Sequence, residues 1–104
     1  MTNIHRGEIA AEIGGEHLVL CLTLGALAEL EARLGAGDLA GLGERFAAGR
    51  ISARDLTAIL GAGLRGGGNA ISDDDLARLS IEGGLRGAAE IAVRLLQATF
   101  GEAP

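Results

Sequence analysis

Residues 51–76, ISARDLTAILGAGLRGGGNAISDDDL, carry two incompatible signals, and which one holds decides the fold. Gly61-Ala62-Gly63-Leu64-Arg65-Gly66 is a literal match to the G-x-G-x-x-G pattern that seats a dinucleotide's pyrophosphate on a helix N-terminus. Such a fingerprint follows a strand and opens a helix. Here the preceding residues, Ile51-Ser52-Ala53-Arg54-Asp55-Leu56, spell a helix start instead: Ser52 is the cap, Asp55 holds the capping-box position, and Ile51 can staple against Leu56. Leu56, Ile59, Leu60 and Leu64 then recur on one helical stripe. The glycines therefore close a helix, where the orphan groups are carbonyls whose partial negative charge repels a phosphate. A Walker loop is excluded too, since it needs a lysine and the chain has none. The expectation is no cofactor: Gly61 and Gly63 let a neighbour approach closely, and Gly66-Gly67-Gly68 end the helix flexibly.

The same start signal returns as Ile71-Ser72-Asp73-Asp74-Asp75-Leu76. Three adjacent carboxylates invite a metal reading, but consecutive helical residues fan out by about 100°, so they do not converge on one ion. Negative charge in a first turn is favoured by the helix dipole, and capping is the expected role. His5 and His17 lack zinc-site spacing. Cys21 lies four residues from His17 in one strand, about 13 Å along it at 3.3 Å per residue, too far for a nucleophile and its base. Ser52, Ser72 and Ser80 have no G-x-S-x-G context. Neither a metal site nor a catalytic constellation emerges, and no enzymatic activity is expected.

Upstream, residues 7–23 read as a β-hairpin. Ile9, Ala11 and Ile13 alternate before Gly14-Gly15, and Leu18, Leu20 and Leu22 alternate after it. A two-residue turn pairs 13 with 16, 11 with 18 and 9 with 20, which puts Ile9, Ala11, Leu18 and Leu20 on one face. Residues 24–100 read as helical. Thr23 caps a helix to Leu34, Asp38 caps one carrying Leu39, Leu42 and Phe46 to Gly49, and Ser52 and Ser72 start the next two. A final helix runs from about Leu85 to Phe100, with Leu85, Ala88, Ala92, Leu95 and Thr99 on one stripe and Ile91, Leu96 and Phe100 widening it. The fold class expected is α+β, an N-terminal β-hairpin packed on an array of four to five short helices. Ile91, Leu95, Leu96 and Phe100 are the candidate partner-binding residues, although ordinary core packing uses the same positions.

The bulk properties agree. One domain, 1–104, is expected at this length. The chain is 48% hydrophobic, too apolar for disorder. A net charge of −5 with two Phe and no Trp or Tyr offers neither the electrostatics nor the stacking surface for nucleic acid. No run approaches the ~20 apolar residues of a membrane span, and no signal peptide is evident, so a cytoplasmic protein is expected. The lone Cys21 fits a reducing compartment.

Three phrases taken in order, HRGEIAAEIGGEHLVLCLTLGALAELEARLG, RFAAGRISARDLTAILGAGLRGGG and GGLRGAAEIAVRLLQATFG, resemble the small phage tail assembly chaperone family of alphaproteobacterial gene transfer agents and related prophages. The resemblance runs from Arg6 to Gly101. It implies a non-enzymatic assembly factor of the bacterial cytoplasm that coats the tape measure protein while tail tube protein polymerises around it. Some relatives are described instead as structural tail tube components, which is the alternative. The partners implied are thus the tape measure protein and tail tube protein, with homo-oligomerisation left open and no residue-level site carried over.

Overall fold

The fold starts from two glycines. Gly14 and Gly15 sit at φ 63° and 82°, the left-handed pair required by the primed two-residue turn whose twist matches its flanking strands. That turn fixes the register of β1 (Glu8–Ile13) on β2 (Glu16–Cys21): Ile13 faces Glu16, Ala11 faces Leu18 and Ile9 faces Leu20, as the alternation predicts. In this computed structural model, residues 7–34, 41, 45 and 48–100 are described. The helices are α1 (Leu24–Leu34), α2 (Ala53–Gly66), α3 (Asp73–Ala77) and α4 (Gly84–Phe100). The fold is α+β, as expected. The helix predicted from Asp38 to Gly49, with Leu39, Leu42 and Phe46, lies outside the described residues apart from isolated positions.

A two-stranded sheet is marginal in water on its own. Here Ile9, Ala11, Ile13, Leu20 and Leu22 are buried against helices, with α2 under β2 and α4 under β1. The hub is α2. It touches α1, α3, α4 and β2, and every residue from Ala58 to Leu64 is buried, the pattern of a helix surrounded on all sides. Its start is as read: Ser52 Oγ accepts from the Asp55 N–H at 3.1 Å, and the Asp55 carboxylate accepts from the Ser52 N–H at 3.4 Å. Thr23 caps α1 by accepting from Ala26 N–H at 3.1 Å, and Ser72 caps α3 by accepting from Asp75 N–H at 3.0 Å.

The far end of α2 corrects the expectation of a flexible stop. A methyl group added to Gly66 or Gly67 would overlap the carbonyl oxygens of Cys21 and Val19 respectively. The helix end is therefore pressed directly onto the outer edge of β2. Asn69 finishes the junction, its Nδ2 donating to the carbonyls of Val19 at 2.8 Å and Leu64 at 3.1 Å. Only Gly68, at φ 97°, uses a glycine's conformational freedom to turn the chain.

Register also decides which backbone groups point outward. In an antiparallel pair, alternate residues turn their N–H and C=O away from the partner strand; counting from the turn, these include Ala10 on β1 and Val19 on β2. Both carbonyls are occupied. Val19 is held by Asn69, and Ala10 accepts from Arg94 Nη2 at 2.8 Å. One outward carbonyl on each edge is thus capped by a side chain, Asn69 from the segment after α2 and Arg94 from α4.

In α4 the buried set is Gly87, Ala88, Ile91, Ala92, Leu95 and Leu96. Leu85, predicted on the core stripe, is instead 63% exposed. Its angular position falls between those of buried Ala92 and Leu96, but it stands in the first turn of α4, ahead of the turns that carry the buried set.

Candidate interaction surface

Gly61 to Gly66 do not form a loop. They are the last two turns of α2, buried at Gly61 and Gly63, with Gly63 so close to Leu95 that an added methyl would lie 2.6 Å from Leu95 Cδ2. The space a phosphate would need is filled by the protein's own side chains. The close-approach reading of these glycines holds.

The motif's variable position, Arg65, has a role that the sequence did not reveal. Its guanidinium pairs with Glu29 of α1 and with Asp73 of α3, the latter at 3.0 Å, and Nη1 also donates to the Ile71 carbonyl at 2.9 Å. Arg33 of α1 closes the group on the other oxygen of Asp73. Hydrogen bonding to Glu29 foremost, opposed by desolvation and aided by Asp73, raises the Arg65 pKa above its ordinary value. With side-chain exposures of 27%, 36% and 13% for Arg65, Glu29 and Asp73, the cluster is partly solvated. Its role is to tie three helices in register. Asp73 is therefore both a first-turn acid and an ionic hub, whereas Asp74 and Asp75 are exposed. Among the described residues no group of His, Cys, Asp and Glu is arranged to hold a metal ion.

Two apolar surfaces stand out among the described residues. A groove of about 230 Å³ lies between the start of α2, α3 and the start of α4, floored by Leu56, Leu60 and Leu76 and rimmed by Leu79, Ile81 and Leu85. Leu79 also packs on the hairpin turn, where the Gly14 N–H donates to the Ser80 carbonyl at 2.9 Å. The second surface is the outer flank of α4, a shallow apolar depression formed by Ala89 and Val93 among Arg86, Glu90 and Arg94.

The predicted partner-binding residues divide between core and surface. Leu95 is fully buried, and Ile91 and Leu96 are each 8% exposed, so all three belong to the core of the fold. Phe100 is 54% exposed. By helical angle it lies within about 20° of Val93, an exposed residue of α4 that the sequence reading did not single out as a surface. The available signal was the width of the helix's apolar arc, which exceeds the stripe of about 100° that a core-facing helix needs.

No helix among the described residues is long and apolar enough to cross a membrane. Neither the curated proteins nor the solved structures contain a match. Residues 6–102 match the model of a family described as "Phage tail tube protein, GTA-gp10". That description names a structural tail protein, and it overturns the tail assembly chaperone expected from the resemblance: the order and spacing of the motifs identify the lineage but do not encode which tail role a member fills. The gene transfer agent and phage tail assignment stands, and with it tail proteins as the class of partner. With nearly its whole length matched, the chain belongs to the phage tail tube protein family of the GTA-gp10 type.

Proposed function

We propose that the chain is a non-enzymatic structural subunit of the tail tube in a phage-like gene transfer agent particle. The observation that carries this reading is the family match across residues 6–102. It is supported by an exposed apolar flank on α4, the kind of surface that a protein working through contacts with other proteins needs. Under this reading the chain is made in the cytoplasm of the bacterial host and passes into the tail as it assembles. Its neighbours are further tail subunits, with the tape measure protein inside the tube as a second contact. Quantitative mass spectrometry of purified particles is the test. The chain should be present in many copies per tail; particles that are infective or transfer-competent but lack it would sink the proposal.

A further inference from the structure

Between α2 and α4 the chain crosses the surface as a strap, Ser72 to Ser80, in which Leu76 alone is buried. Its helix, α3, has five residues, well short of the roughly 12 to 15 that a helix needs to persist by itself. That helix packs chiefly on α2. Both flanks of the strap are fixed. Before it, Asn69 is bound to the carbonyls of Val19 and Leu64; after it, α4 is seated by its buried face. The joint with α4 runs from half-buried Ile81 to Gly84, and it contains Gly83 and Gly84 at φ 85° and 60°. We propose that Ser72 to Ser80 opens as one unit, independently of the core, and in doing so uncovers Leu56 and Leu60 of α2.

Among the described residues three tethers hold the strap down, and each is small beside the core. The first is ionic: Asp73 pairs with Arg65 and Arg33, whose side chains are 27% and 51% exposed, so water screens the attraction. The second is Leu76, the strap's apolar anchor, which shares the floor of the groove with Leu56 and Leu60. The third lies at the hairpin tip, where the Ser80 carbonyl accepts from the Gly14 N–H at 2.9 Å and Leu79, 38% exposed, rests on Gly14. The open groove of about 230 Å³ beside Leu76 shows that this edge of the strap is not close-packed. By contrast, α2 is buried without a break from Ala58 to Leu64 and meets α1, α4 and β2, so it is released only with the whole fold. The tethers also couple distant points of the chain. Lifting the strap that carries Leu76 breaks the bond to Gly14, although the rest of the hairpin stays paired.

Site-resolved amide exchange by NMR on the full chain tests this. The strap reporters are the N–H groups of Leu76 and Leu79, bonded to the Ser72 and Leu76 carbonyls, and the N–H of Gly14; the core reporters are those of Ile59 to Leu64. The three strap reporters should share one level of protection, at least about a hundredfold below the core and only weakly dependent on denaturant. Leu76→Ala should speed exchange at Gly14 and Leu79 together by at least about tenfold. Leu95→Val, one methylene smaller at a buried site opposite Gly63, should speed the core reporters at least about threefold and leave the strap reporters unchanged. Strap amides as slow as the core would make the strap part of it and overturn the proposal. Strap amides exchanging at the free-chain rate would mean that no closed strap exists, which overturns it equally. So would a Gly14 amide that follows the ladder of the hairpin, or one that Leu76→Ala does not move.

Discussion

At the scale of single residues, the informative positions are those where one atom more or less cannot be absorbed. Gly67 is such a position, because the obstacle to an added methyl is the Val19 carbonyl, a backbone atom held in the sheet. At Gly61 the obstacle is the Asp73 side chain. Gly67→Ala should therefore cost about 1 to 3 kcal/mol, the usual range for overpacking, seen as a lower urea midpoint at unchanged slope. A variant as stable as the parent would mean that α2 does not press on β2. Arg65 illustrates the opposite case. The upward shift of its pKa means that, as pH rises, its contribution to stability is lost only in strong alkali, so it is constant across the neutral range. The sequence gives no sign of the Arg65 cluster: Arg65 meets Glu29 across 36 positions and Asp73 across eight, and neither spacing is a local signal.

At the scale of elements, the local signals carried the most. The Gly14-Gly15 turn, the alternation either side of it and the Ser52 box each depend on residues within a few positions, and each appears in the fold as spelled. Ser52→Ala should accordingly cost about 1 kcal/mol and speed amide exchange in the first turn of α2 while leaving its buried turns protected. An unchanged exchange pattern would show that tertiary packing alone sets this helix start. What the element signals could not show was what each end abuts. The glycines after Leu64 read as a loose stop because sequence records a missing side chain without recording which strand fills the space. Likewise, periodicity assigned α4 an apolar stripe but could not say how much of it the hairpin and α2 would cover, and so Leu85 was placed in the core.

For the whole molecule, α2 is the member that every other helix and one strand of the sheet depend on, so stability should be lost cooperatively. The two fates of the predicted partner residues separate cleanly by this test. Leu95→Ala, at a fully buried position opposite Gly63, should cost about 2 to 5 kcal/mol by thermal or urea denaturation. Phe100→Ala, more than half exposed, should change stability by no more than about 0.5 kcal/mol. Comparable losses at both would put Phe100 in the core. The capped carbonyls of Ala10 and Val19 have a consequence wherever copies of the chain are crowded together. Copies crowded together are the setting in which bare strands recruit one another into fibrils. With Asn69 on the Val19 carbonyl and Arg94 on the Ala10 carbonyl, a strand arriving at either edge finds its middle acceptor already taken, which weakens the ladder it could form.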